Sequence, residues 1–170
     1  RAQTISLNED ESTPVVLTAL DVEGDALTYA IDSAPIHGTL TGEGPDLTYR
    51  PDSNYNGVDS LTFKVNDGQL DSQTATVSIT INAVNHAPVA VDDTLVTDED
   101  APMTVAVLAN DSDLDGDSLV ITSTSQGTNG AVSITPDATI TYTPDTDFNG
   151  TDSFTYYAND GTVDSATAAT

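Results

Sequence analysis

The stretch "LTYRPDSNYNGVDSLTFKVNDG", Leu47 to Gly68, returns as "ITYTPDTDFNGTDSFTYYANDG", Ile140 to Gly161. The displacement is 93 positions, and 12 of the 22 residues are identical. Upstream, "DVEGDALT" (Asp21 to Thr28) matches "DLDGDSLV" (Asp113 to Val120), and Glu9-Asp10 matches Glu99-Asp100. A period of this length, found twice, makes the chain two copies of one domain of about 90 residues. We place them at 1–85 and 86–170.

Each copy is punctuated by turn signals. In the first they are Glu23-Gly24-Asp25, Gly42-Glu43-Gly44, Asn56-Gly57 and Asp67-Gly68. They separate short runs rich in Thr, Val and Ile that alternate with period two, such as "TATVSITI" from Thr74 to Ile81. Alternation of this kind is the signature of half-buried strands, and no comparable stretch has apolar residues at helical spacing. Strands are expected near 3–7, 13–18, 25–31, 37–41, 46–50, 59–66 and 70–82. Some seven strands in a domain this small describe an all-β sandwich. Its core is expected to include Leu7, Val16, Leu27, Tyr29, Ile31, Leu47, Tyr49, Leu61, Phe63, Val77, Ile79 and Ile81. The turns at Asn56-Gly57 and Asp67-Gly68, with Asn149-Gly150 and Asp160-Gly161 in the second copy, read as hairpins.

The charge narrows the partners. Lys and Arg total 3 against 28 acids, a formal net charge of −25, which argues against nucleic acid and anionic membrane surfaces and favours cations. Asp supplies 23 of the 28 acids. Asp favours turns, whereas a merely solvated helical surface would prefer Glu. Cysteine is absent, so neither disulfides nor thiolate metal sites are available. No apolar run is long enough for a transmembrane segment. The chain opens mid-pattern at Arg1 and stops early in the second copy's last strand. It is therefore expected to be a piece of something longer, with that strand incomplete and a sheet edge exposed. The junction "NAVNHAPVAVDD", Asn82 to Asp93, is too short and stiff for a flexible tether.

Taken together and in order, "VNHAPVAVDD", "DxDGDxL", "YTPDxxFNGxDSFxY" and "NDG" resemble the tandem cadherin-like, or bacterial immunoglobulin-like, repeats of large secreted and surface proteins, RTX-type adhesins among them. That resemblance covers both copies. It implies two Greek-key sandwiches, calcium at or near domain junctions, an extracellular or bacterial cell-surface location, and a role in adhesion or as a stiffened spacer. Neighbouring repeats of the same chain would be partners, with a homophilic protein or an extracellular polysaccharide as the outer ligand. Such repeats also occur appended to polysaccharide-degrading enzymes and proteases, so a carbohydrate-binding accessory module is the alternative.

The acidic composition favours a cation, and the resemblance implies that it is Ca²⁺. The stretch Asp111 to Asp117 has alternate carboxylates at Asp111, Asp113, Asp115 and Asp117 around Gly116, the opening of an EF-hand loop. The rest of that motif fails, because position twelve is Thr122 and a strand pattern follows. The loop instead resembles the cadherin-type turn that supplies calcium ligands, with an Asx-rich solvated turn as the other reading. Asp21, Glu23 and Asp25 repeat it in the first copy, where Ala19 stands in place of Asp111. Glu9, Glu11 and Glu99 sit where cadherin-like domains place a glutamate ligand. Asp59 and Asp152, after the "NG" turns, fall near a further one, and Asn85 in the linker is a neutral candidate. Related linkers carry an acid where this one has His86, which removes a ligand and a charge.

Catalysis finds little support. His37 and His86 are the only histidines and lie in different segments, and no serine has a nucleophile-elbow setting. We expect no enzyme. For a sugar module the signature would be exposed aromatic platforms, for which Tyr156, Tyr157, Tyr55 and Phe148 are the candidates. For Tyr55 and Phe148 the favoured reading is that they cap the core.

Overall fold

Alternation decides the architecture. In β7 (Ala75–Asn82), Val77, Ile79 and Ile81 are buried while Ser78 and Thr80 face outward. β5 (Asp46–Pro51) repeats the pattern with Leu47, Tyr49 and Pro51 inside. Each strand thus has one apolar face, and two such faces must be laid together. The computed structural model describes residues 2–170, and they form two units, divided between Val84 and Asn85.

In the first unit, β1 (Gln3–Asn8) runs parallel to β7, which pairs antiparallel with β6 (Gly57–Asn66), and β6 with β3 (Thr28–Ser33). The second sheet is β2 (Thr13–Val16), β5 and β4 (Gly38–Glu43). The chain passes from sheet to sheet at every connection except the hairpins β4–β5 and β6–β7. Between the sheets lie Leu7, Val15, Leu17, Leu47, Tyr49, Leu61, Phe63, Val77, Ile79 and Ile81.

In the second unit, β8 (Met103–Val105), β10 (Gly130–Ile134) and β11 (Ile140–Pro144) form one sheet. The other is β9 (Val120–Thr124), β12 (Thr155–Asn159) and the two-residue β13 (Ala168–Ala169). A single 3-10 turn, Val107–Ala109, follows β8 and buries Val107. Val107, Val132, Ile140, Tyr142, Phe154, Tyr156 and Ala168 make the core. Both units are all-β sandwiches. No helix among the described residues is long and apolar enough to cross a membrane.

Three expectations need correction. Val16 is 51 % exposed while Val15 and Leu17 are buried, because β2 pairs Val15 with Leu47 and so turns the odd-numbered residues inward. Ile31 is 40 % exposed, beside a register shift between Ile31 and Ser33 that takes this end of β3 off the regular pleat. The Asn56-Gly57 turn is no hairpin, since it joins β5 to β6 across the two sheets. Asp67-Gly68 does lie within the β6–β7 hairpin, where Asp67 Oδ1 accepts the N–H groups of Gln69 and Leu70.

One device recurs in both units. Tyr49 Oη donates toward Asp59 and the His37 carbonyl, and Tyr142 Oη toward Asp152 and the Asn129 carbonyl. The ring must cross close over the neighbouring strand to do this. Gly38 and Gly130 leave that space, since a Cβ there would stand 2.7 and 2.6 Å from the respective tyrosine rings.

Candidate metal centre

The loop from Asp111 to Asp117 is shaped first by its own backbone. Asp113 Oδ1 accepts the N–H groups of Asp115 (2.9 Å) and Asp117 (3.1 Å), the fold of an Asx turn. Asp21 does the same for Gly24 and Asp25 in the first unit. The two loops then diverge. Asp113 is half-buried, and its Oδ2 is shielded from solvent with no hydrogen-bond partner. Asp115 Oδ2 accepts the His86 N–H at 2.6 Å, and its Oδ1 lies 3.2 Å from the His86 ring. These contacts from His86 hold the Asp115 carboxyl below the usual carboxylate range. Asp117, Glu11, Glu23 and Asp25 are exposed.

Asp111 turns inward. Its Oδ1 accepts the Val91 N–H at 2.8 Å, and both its oxygens lie 3.1 Å from the Tyr156 hydroxyl. Asp93 Oδ2 approaches the same hydroxyl at 3.3 Å, as do the carbonyls of Val91 and Val107 at 3.2 and 3.1 Å. One phenolic proton thus faces several acceptors and can serve one well. Burial, with the Asp111 and Asp93 charges behind it, pushes Tyr156 ionisation far above the ordinary phenol range. Burial also raises the Asp93 carboxyl, and the Asp111 charge adds to this against the hydrogen bond from Tyr156. Asp93 was not singled out from sequence. The signal was present in "VAVDD", because the first copy has Gln3 at the matching place and no paired acids before it.

Other candidates are engaged elsewhere. Asp59 is buried, and its oxygens accept the N–H groups of Ile36, His37 and Ser60 and the Tyr49 hydroxyl, at 2.8 to 3.1 Å. Burial raises its pKa, but these donors outweigh burial and hold it below the usual value. Asp152 repeats the arrangement with Thr128, Asn129, Ser153 and Tyr142 at 2.8 to 2.9 Å, and its pKa is lowered in the same way. Burial and the Asp152 carboxylate push Tyr142 up to about 12. With their lone pairs filled by protein donors, Asp59 and Asp152 tie loops to strands rather than wait for a cation.

Glu9 is 3 % exposed, and its Oε1 accepts the Val84 N–H at 2.6 Å, which closes the end of β7. Glu99 is exposed. Asn85 donates to Asp160 Oδ2 at 2.8 Å, so its amide supports a turn that is itself built on Asp160.

Among the aromatic candidates, Tyr156 is fully buried and offers no face to a sugar. Tyr55 stacks on His37 at 4.1 Å between ring centroids, donates to the Val58 carbonyl, and packs against the core. Phe148 is half-buried and lines a cavity beside Tyr142. Tyr157 is half-buried on β12.

Over 62 residues the chain is 39% identical to Integrin beta-like protein B of Dictyostelium discoideum, a match that covers 36% of this chain and 3% of that protein. The solved structure of human CDH23 EC21-23 is similar at a TM-score of 0.62 and 15% identity, over 99% of this chain and 70% of that one. The endo-fucoidan hydrolase MfFcnA4 from glycoside hydrolase family 107 is similar at 25% identity and a TM-score of 0.42, over 98% of this chain and 27% of that one. The chain belongs to the bacterial Ig domain family, whose model matches residues 1–80 and again 85–170.

Proposed function

We propose that the chain is a non-enzymatic pair of extracellular repeats that serves surface adhesion or spacing, and that calcium stiffens it. The observation that carries the calcium reading is the crowding of Asp93 and Asp111 onto the single proton of Tyr156 in the second unit. A divalent cation there would turn repulsion between two carboxylates into coordination, with the Val91 and Val107 carbonyls as neutral oxygen ligands. The unpartnered Oδ2 of Asp113, two residues along the same loop, is a further anionic oxygen. All of these are hard oxygen donors, the set that calcium prefers.

Without the ion, like charges loosen the segments 91–93 and 111–117. With it, both are pinned to β12 through Tyr156. Extracellular calcium modules bind with Kd on the order of 0.1 to 1 mM. Calcium at a hundredfold excess over Kd would add about 2.7 kcal/mol to the folded unit.

The test is melting of the chain in EDTA, in millimolar calcium and in equal magnesium, for wild type and Asp111→Asn. A rise of several degrees with calcium alone, lost in Asp111→Asn, supports the reading. Equal curves in calcium and magnesium would sink it. Of the aromatic candidates for a carbohydrate module, Tyr156 is buried and Tyr55 is packed on His37 and the core, which leaves Tyr157 and Phe148, each half-buried, as a weaker basis for that alternative.

A further inference from the structure

Two of the chain's asparagines stand in the pattern Asn-X-Ser/Thr with X other than proline: Asn110-Asp111-Ser112 and Asn149-Gly150-Thr151. That pattern is the acceptor for N-linked oligosaccharide, and it serves only where the asparagine amide can be reached. The fold separates the two. The Asn110 amide donates to the Val91 and Asp92 carbonyls, and Ser112 is paired with Val89. Asn149 is exposed, and among the described residues no hydrogen bond reaches the side chains of Asp147, Asn149 or Thr151.

The turn that carries Asn149 is held by its own backbone. The Asp147 N–H donates to Asp100 Oδ1 at 3.0 Å, and the Phe148 N–H to the Asp145 carbonyl at 3.1 Å. The Phe148 ring lies against Gly150, where a Cβ would stand 3.2 Å from it, so the middle residue of the pattern has no side chain to obstruct an approach. Asp147, two positions before the asparagine, adds an exposed carboxylate that a basic groove could hold. The exposure does not come from an unfilled sheet edge. In the first unit, where β7 is complete, Asn56 is exposed and Val58 is 72 % exposed. That unit has the turn without the acceptor, because Asn54 and Val58 stand where the second has Asp147 and Thr151.

We propose that Asn149 is an acceptor site for N-linked oligosaccharide. The donor class is an oligosaccharide joined through pyrophosphate to a polyprenyl lipid, which a transferase delivers to exported chains, so the proposal rests on the extracellular reading above. Asn149 Nδ2 attacks the anomeric carbon of the donor. A C–N bond forms, the C–O bond to the pyrophosphate breaks, and the lipid pyrophosphate leaves with the electron pair. The amide proton passes to a carboxylate of the transferase. Thr151 supplies the hydroxyl by which the transferase recognises the acceptor, and Asp147 supplies a charge for it to hold.

The test incubates the folded 170-residue chain with a purified bacterial oligosaccharyltransferase and a polyprenyl-pyrophosphate-linked oligosaccharide, and reads intact mass and peptide maps. One oligosaccharide per chain is expected, on Asn149. Asn110 should react at least about tenfold more slowly, since it must first break from its loop. Asn149→Gln and Thr151→Val should each abolish the addition with melting unchanged. Asp147→Asn, which suits the positive φ of 58° and removes only the charge, should slow it several-fold. Asn54→Asp with Val58→Thr copies the acceptor into the first unit and should add a second oligosaccharide, at Asn56. No addition to the folded chain, or addition at Asn110 in preference to Asn149, would overturn the proposal. If a free peptide of residues 145–153 is modified and the folded chain is not, the fold withholds the asparagine and the proposal fails on geometry. Because the assay uses purified chain, such a failure leaves the extracellular reading standing. That reading fails separately if the protein is recovered from the cytosol rather than from the cell surface or medium.

Discussion

Phe63 and Tyr156 occupy the same place in the two repeats, both fully or nearly fully buried, and differ by one oxygen atom. Around Phe63 the matching residues are Ala19 and Gln3, whereas around Tyr156 they are Asp111 and Asp93. The first unit thus places no charge there: Ala19 offers a methyl, and Gln3 an amide that donates to the Val16 carbonyl at 2.9 Å. The second places a phenol, two carboxylates and two carbonyls in the same position. A buried hydroxyl with surplus acceptors is a poor way to gain stability, because the lone pairs left over keep their desolvation cost. The three substitutions occur together, and their chemistry is coherent only as a set: any one alone would leave a buried polar group without its counterpart. On the proposed calcium reading, the comparison teaches that one sandwich frame can be built for stability in one copy and for cation-dependent rigidity in the other.

The largest effect expected from breaking this comparison lies in what the units share. Asp59→Ala leaves the part-buried N–H groups of Ile36 and His37 without acceptors and the Tyr49 hydroxyl with the His37 carbonyl alone. It should cost about 3 kcal/mol, read as lost NMR or exchange protection across the first unit. Asp152→Ala removes the same set of bonds from a carboxylate that is only half-buried, so the second unit should lose less, about 1 to 2 kcal/mol. Equal losses would mean that the clasp, rather than its burial, sets the cost.

Next comes the hydroxyl itself. Tyr156→Phe copies the first unit into the second and leaves Asp93 and Asp111 facing each other with no shared proton. In EDTA this should destabilise the second unit by about 1 to 2 kcal/mol. In calcium the loss should shrink, because the cation replaces the proton as the positive centre. A loss of the same size in both buffers would show that Tyr156 acts through packing and its carbonyl bonds alone.

Much of this was legible in the sequence, and the rest fails for physical reasons that can be named. The duplicated block and its period-two runs place most of the strands and most of the core, because alternation reports directly which face is buried. Val16 misled because it has aliphatic neighbours on both sides, so the run Val15-Val16-Leu17 carries no alternation to fix its parity. Asp111 and Asp113 stood out as loop acids, but their separate roles depend on which lone pairs the backbone fills, and composition does not encode that. Asp59 and Asp152 looked like ligands because they are acids after a turn. Their partners, the loop at 36–37 and the loop at 128–129, lie more than twenty residues away and only the fold brings them near. Tyr156 and Tyr157 showed that one of an adjacent pair faces inward, and the register with Ala168 decides which.

The smallest expected effect is the sharpest in sign. Asp93→Asn removes one of the two crowded charges while leaving an oxygen near Tyr156. Because burial and Asp111 raise the Asp93 carboxyl, its contribution to stability is present at acid pH and is lost as pH rises through the raised value. Asp59, whose folded value is lowered, behaves in the opposite way: its contribution is present above the unfolded carboxylate value and is lost as pH falls through the lower folded one. Lowering pH from 7 toward about 4 in EDTA should therefore stabilise the second unit relative to the first, and Asp93→Asn should remove that gain. At pH 7 in EDTA the variant should melt higher by a few degrees, since about 1 kcal/mol moves a domain of this size by roughly 4 to 8 °C. In calcium the order reverses, because the variant has lost an anionic ligand and with it most of the ion's stabilisation. A variant more stable than wild type in both buffers would leave the pair as an electrostatic liability with no ion to justify it.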